Sequence, residues 1–185
     1  KDFVGRYAVQ RVELAGFALT PSFAYQVNDE LSLGIGLSFI ETTLEQDIAL
    51  RRLLSPDDGQ ARLRDLDDSG VQTILGLTYQ LSAETLIGVV YRSEMELELD
   101  GNLRIVDTPL SSAKRGVKIE WDNPQTIEVG LRHRLDDAQT LFFNLGWQEW
   151  SAFSESLFTL TTSGITDLDD RKWDDTWHTG VAYAQ

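Results

Sequence analysis

Along nearly the whole of this 185-residue chain apolar and non-apolar side chains alternate with a period of two, and that pattern commits it to β-strands. From Phe17 to Val27 the odd positions read Phe17, Leu19, Pro21, Phe23, Tyr25 and Val27, while Ala18, Thr20, Ser22, Ala24 and Gln26 hold the even ones. After the turn sequence Asn28-Asp29-Glu30 the alternation resumes with Leu31, Leu33, Ile35, Leu37 and Phe39 opposite Ser32, Gly34, Gly36 and Ser38, which makes a hairpin. A second hairpin joins Val71–Leu81 to Thr85–Leu99, and a third joins Ile127–Leu135 to Leu141–Trp147 across Asp136-Asp137-Ala138. With one more strand beginning at Trp177, the count is seven.

The connections alternate in length, short turns against long segments at about 44–69, 100–125 and 151–174. Most loops in compact soluble domains have about 4–6 residues. Short turns at one rim and long loops at the other are the asymmetry of outer-membrane barrels. Within the first long segment, Glu45–Leu54 carries Ile48, Leu50, Leu53 and Leu54 beside Arg51 and Arg52, which allows an amphipathic loop helix.

The face opposite the apolar one helps to decide what each face meets. Ser32, Gly34, Gly36 and Ser38 are too small and uncharged for a solvent-facing strand, and suit a crowded interior. The apolar runs match the length of a tilted strand crossing hydrocarbon, and Tyr25, Phe39, Tyr79, Tyr91, Trp147 and Trp177 stand near strand ends, where amphipathic rings form interfacial girdles. Arg92, Glu94, Glu96, Glu98, Glu128, Arg132 and Arg134 share the even face, where a polar lumen would accept them and hydrocarbon would not.

Composition narrows the function. With 16 Lys+Arg against 30 Asp+Glu the net charge is −14, which repels phosphate backbones and argues against a nucleic-acid partner. The absence of cysteine excludes thiolate metal sites, a cysteine nucleophile and disulfides. No uncharged run approaches the roughly 20 residues of a membrane helix, and the first residues lack the apolar core of a signal peptide.

Motifs for catalysis are missing. There is no HExxH, GxSxG, Walker A or GxGxxG, and Ser93 and Ser151 have no specified histidine partner. The two histidines, His133 and His178, lack ligand spacing, and Asp65-Leu66-Asp67-Asp68-Ser69-Gly70 begins like a calcium loop yet has Gly76 where the twelfth-position glutamate belongs. No enzyme activity, no metal and no cofactor are expected.

With strands and turns placed, the chain resembles the FadL/TodX family of outer-membrane transporters for long-chain fatty acids and other hydrophobic compounds. The resemblance lies in Pro21-Ser22-Phe23-Ala24-Tyr25-Gln26-Val27-Asn28-Asp29 with Leu31-Ser32-Leu33-Gly34, then Leu75-Gly76-Leu77-Thr78-Tyr79-Gln80-Leu81 and Val90-Tyr91-Arg92-Ser93. Trp147-Gln148-Glu149-Trp150-Ser151 and Trp173-Asp174-Asp175-Thr176-Trp177 extend it over nearly the whole chain.

The resemblance implies an all-β, antiparallel up-and-down outer-membrane β-barrel of fourteen strands, plugged by an N-terminal hatch, that takes ligand from outside and releases it laterally near a kinked strand. Residues 1–185 would form about seven of those strands, a partial transmembrane barrel domain without hatch or closing strands. It further implies a bacterial outer-membrane location, outer-membrane lipid and a hydrophobic small-molecule ligand as partners, and passive transport by partitioning at roughly 0.8 kcal/mol per buried methylene. A seven-stranded piece would have open edges through which copies could self-associate.

By strand order the loops 44–69 and 100–125 correspond to the family's capture groove, which makes Ile48, Leu50, Leu53, Leu54, Leu103, Ile105 and Val106 the candidate ligand-binding residues. Two alternatives stand beside this reading: a porin-like or structural outer-membrane barrel, and a soluble β-barrel that binds lipid inside.

Overall fold

The computed structural model describes residues 4–52, 57–107, 114–161 and 163–185. They form one antiparallel sheet of twelve strands. The strands are β1 (Arg11–Leu19), β2 (Ser22–Gln26), β3 (Leu31–Leu50), β4 (Gly59–Gln80), β5 (Thr85–Arg92) and β6 (Met95–Val106), then β7 (Lys114–Asn123), β8 (Thr126–Arg134), β9 (Thr140–Gln148), β10 (Glu155–Leu160), β11 (Ile165–Asp170) and β12 (Thr176–Ala184). Two short 3-10 turns, Val4–Tyr7 and Trp150–Phe153, accompany them.

These strands sort into two layers that share β3 and β4. In the lower layer the order is β2-β3-β4-β5-β8-β9-β12, and in the upper layer it is β1-β3-β4-β6-β7-β10-β11. The seven strands expected from the alternation are the lower layer, reached through the short turns. The long connections are strands as well: β3 and β4 run on unbroken, and the other walls continue past a break at Thr20-Pro21, Ser93-Glu94, Pro124-Gln125, 149–154 or 171–175.

The segment read as a possible helix is β-strand through Leu50, paired with β4 from Gln46 opposite Leu63 to Leu50 opposite Gly59. Leu53 and Leu54 lie outside the described residues. Cross-strand pairing with β4, and with β1 as far as Asp47, gives this segment backbone hydrogen bonds that override a weak helical spacing.

What separates the layers is which face is apolar. We call inner the face bearing Ser32, Gly34 and Gly36. In the lower layer the outer face is apolar: Phe23, Ile35, Leu75, Tyr91, Ile127, Trp147 and Trp177 form one continuous cross-strand row. Many of these side chains are open, Trp177 at 68% and Phe23 at 67% exposure, so the belt has no protein covering. The aromatic girdle expected from the sequence falls on this outer face.

In the upper layer the apolar side turns inward. Leu44, Leu63, Leu66, Leu99 and Val117 form a buried cluster, with Leu103, Ile119, Trp121 and Phe158 packed against it. In β3 the pairing register is unbroken from Leu31 to Leu44, so it is the sequence that changes the apolar parity, from odd up to Phe39 to even at Leu44. Between β5 and β6 the break at Ser93-Glu94 does the turning, which sets Tyr91 outside and Met95, Leu97 and Leu99 inside.

That break also corrects one expectation. Arg92, Glu128 and Arg132 lie on the inner face, but Glu96 and Glu98 do not, because they follow the break and stand outside with Asp122 and Glu120 opposite them. The outer face of the upper layer is a water face, crossed by ion pairs such as Lys118–Glu98, Arg64–Glu45 and Arg11–Glu45.

A bulge completes the core. Between Leu44 and Gln46 the partner in β4 slips from Leu66 to Leu63, and Asp65 takes a φ of 56° to absorb the extra residue. Opposite it stands Gly101, where a Cβ would lie 2.8 Å from the carbonyl oxygens of Arg64 and Asp65. Only glycine lets the two backbones come that close.

Candidate functional site

The inner surface runs from an apolar chamber in the upper layer, through an aromatic cluster, to a wall of small and polar residues below. Alternation of strand side chains sets the chamber: Gln46, Leu63 and Leu103 share one row, and Ile48, Ala61 and Ile105 the next. Leu99, Leu66 and Val117 at its base are at most 1% exposed.

Of the residues expected to line a groove, Leu103 packs on the buried cluster, and Ile48, Leu50 and Ile105 share its face, half-buried. Val106 stands opposite Gln60, on the other face of the sheet. Leu53 and Leu54 lie outside the described residues.

Where the walls break between layers, four rings meet. Trp121 and Phe153 have centroids 5.1 Å apart, Phe153 and Trp173 5.4 Å, and Trp150 and Trp173 5.7 Å in an edge-to-face pose. The Arg171 guanidinium lies 4.6 Å from the Phe153 centroid, and its Nη1 donates to the Phe153 carbonyl at 3.1 Å and to Ser156 Oγ at 2.9 Å. The 3-10 turn Trp150–Phe153 puts Phe153 into this position, and Arg171 holds it there. A recess of about 460 Å³ opens beside the rings, lined by Trp150, Lys172, Trp173, Asp174 and Thr176.

In the sequence Trp150 and Trp173 stand out only within the stretches that carry the family resemblance, and Trp121 and Phe153 do not stand out at all. The available signal is the aromatic density of 147–153 and 173–177, but only the pairing of β7 with β10 brings Trp121 to it.

Below the rings the inner wall turns polar. The uppermost row reads Ser22, Gly36, Ile74, Arg92, Thr126, Gln148 and Thr176 across the sheet. One row lower, His178 reaches Glu128 across Gly146, Nε2 to Oε1 3.3 Å. Both histidines are placed apart: His133 sits near the short turns, with Nδ1 2.8 Å from Thr85 Oγ1. A recess of about 370 Å³ is floored by Gly34, Gly36 and Gly76 and flanked by Ile74 and Val90. Among the described residues no three His, Asp or Glu side chains are grouped to hold a metal ion.

Three carboxyls at or above the layer break are perturbed, Glu94 upward by burial and then by the nearby Glu149 and Asp122. Burial, then the nearby Glu96 and Glu120, raises the Asp122 carboxyl above the usual range. The Arg6 guanidinium, donating from Nε at 2.8 Å, and the Tyr7 hydroxyl lower that of Asp58 despite desolvation.

Residues 1–184 match the family described as outer membrane protein transport protein (OMPP1/FadL/TodX). A curated relative is the long-chain fatty acid transport protein of Escherichia coli O6:H1, 22% identical over 98% of this chain and 53% of its own length. Among solved structures, a Pseudomonas aeruginosa FadL homologue superposes with a TM-score of 0.84 at 18% identity, covering 97% of this chain and 48% of its own. The Ralstonia pickettii toluene transporter TbuX gives 0.72 at 22% identity, covering 93% and 52%. These likenesses establish the fold, and the chain spans about half the length of the relatives it matches.

Proposed function

The chain belongs to the outer membrane protein transport family OMPP1/FadL/TodX, and on that premise we propose that it carries a hydrophobic small molecule passively inward across the bacterial outer membrane. The observation that supports this is the inversion of the apolar face. Below the layer break the outer face offers lipid an apolar belt, and above it the inner face offers a solute the half-buried Ile48, Leu50, Leu103 and Ile105, a chamber resting on the packed Leu66, Leu99 and Val117.

A hydrophobic molecule leaves water for that chamber because burial releases roughly 25 cal/mol per Å² of apolar surface. The rings of Trp121, Phe153, Trp150 and Trp173 continue the apolar path to the inner wall. Each step is a partition between surfaces and requires no chemical step, nucleotide or cofactor. The candidate capture residues are Ile48, Leu50, Leu103 and Ile105, joined by the four rings.

Uptake of labelled oleate and of toluene by a Gram-negative host lacking its own transporter of this kind tests the proposal. Expression of the protein should raise the initial rate of entry of at least one above the empty-vector control. Rates equal to the control, with the protein heat-modifiable in the outer-membrane fraction, would overturn it.

A further inference from the structure

Resting on the transport reading above, we propose that Arg92, Thr126 and Gln148 form a head-group site that selects hydrophobic carboxylic acids over neutral compounds of the same size. The three residues are consecutive cross-strand neighbours in the uppermost polar row of the inner wall, on β5, β8 and β9. Their side chains project from the same face of the sheet, about 5 Å apart at Cβ.

Each has a donor without a protein partner among the described residues, and Arg92 is open to the inner space. Among the described residues Arg92 makes no hydrogen bond or ion pair, although the chain has fourteen more acidic than basic side chains. Thr126 Oγ1 is buried and, among the described residues, has no hydrogen-bond partner. Gln148 Oε1 accepts from Trp150 Nε1 at 2.8 Å, an interaction that turns the amide so that its NH2 group remains unused.

Of the carboxylates near the row, Glu94 follows the break and lies toward Asp122 and Glu96 of the upper layer, and two others have neighbours of their own. Glu128, diagonal to Arg92, is held by His178 at 3.3 Å, and Glu149 accepts from Gln125 Nε2 at 2.7 Å. A guanidinium, a hydroxyl and an amide NH2 side by side match the two oxygens of a ligand carboxylate, and Arg binds such groups through paired N–H donors. Ile74, the cross-strand neighbour of Arg92 on the other side, and Val90 flank the glycine-floored recess, which offers the ligand's chain a place directly beside its head group. A neutral hydrocarbon would leave all three donors unpaired, and that is the basis of the selection.

The test compares cis-parinaric acid with its methyl ester, both fluorescent on binding, against the purified protein in detergent at pH 8 with a detergent blank. The acid is expected to bind at least ten-fold more tightly than the ester. Arg92→Met should remove that preference by lowering the acid's affinity to about that of the ester, and Thr126→Val should reduce it several-fold. If Arg92→Met does not fold, as judged by heat-modifiable migration, Arg92→Gln carries the same expectation. Equal binding of acid and ester, or a preference that survives both arginine variants, overturns the head-group site and leaves the transport reading standing. Failure of both probes to bind overturns the two together.

Discussion

His178 and Glu128 face each other across the backbone of Gly146, with Nε2 3.3 Å from Oε1, and the glycine is what lets them meet. A Cβ at position 146 would lie 2.1 Å from His178 Cε1 and 2.9 Å from Glu128 Oε2. Gly146→Ala should therefore part the pair while the strands stay in register. The expected effect is a loss of about 1 kcal/mol in stability, the centre of the range for point substitutions, read as a lower midpoint of thermal unfolding in detergent. In a His178→Ala background the same change should cost less, because the ring it displaces is gone.

Leu99 is fully buried and Leu66 1% exposed, both in the upper-layer cluster. Leu99→Ala should cost about 2–5 kcal/mol through lost burial and a residual cavity. Limited proteolysis should then cut the upper layer first and leave the lipid-belted strands intact; cleavage shared equally by both layers would speak against a separate upper core.

Leu75 points outward from the apolar belt at 45% exposure, whereas Thr78, three residues on, points inward. Leu75→Arg should destabilise the membrane-embedded protein by about 2–4 kcal/mol if it sits near the bilayer midplane. Thr78→Arg should be far milder, because the inner wall is polar. Urea unfolding in lipid vesicles measures both, and equal penalties would remove the assignment of faces.

Asp58 and Asp122 predict opposite responses to pH. The depressed pKa of Asp58, caused first by its hydrogen bond from Arg6, gives the clasp full strength above the usual carboxylate pKa, and that strength is lost as pH falls through the lower folded value. Asp58→Asn should accordingly loosen the Val4–Tyr7 turn at neutral pH, seen as faster amide exchange at Ala8 and Val9, whose N–H groups bond to Gly5 O. The raised pKa of Asp122, caused first by burial, means that ionisation at neutral pH opposes folding, and stability returns as pH falls through that raised value. Asp122→Asn should raise the melting temperature at pH 7 and change it little at pH 3.

What the sequence determined by itself was local. A period of two fixes strands, Asn28-Asp29-Glu30, Ser82-Ala83-Glu84 and Asp136-Asp137-Ala138 fix the short turns, and the small residues Ser32, Gly34 and Gly36 identify the inner face of the lower layer. Each rests on neighbours within a few positions, where strand geometry alone decides which way a side chain points. Leu103, Ile48, Leu50 and Ile105 were legible as apolar residues of the long segments, and the pairing registers of β3, β4 and β6 put them on one face.

The upper layer was decided only in three dimensions. Segments 44–69 and 100–125 look like loops because their strand signal is broken by Asp65, by Gly101 and by the reversal of apolar parity after Phe39. Pairing β3 with β4 and β6 with β7 makes them strands, because only then do Leu44, Leu66, Leu99 and Val117, separated by up to 73 positions, meet in one core. The same holds for Trp121 against Phe153 and for Arg92 beside Thr126. Such contacts depend on register between distant strands, which no local pattern specifies.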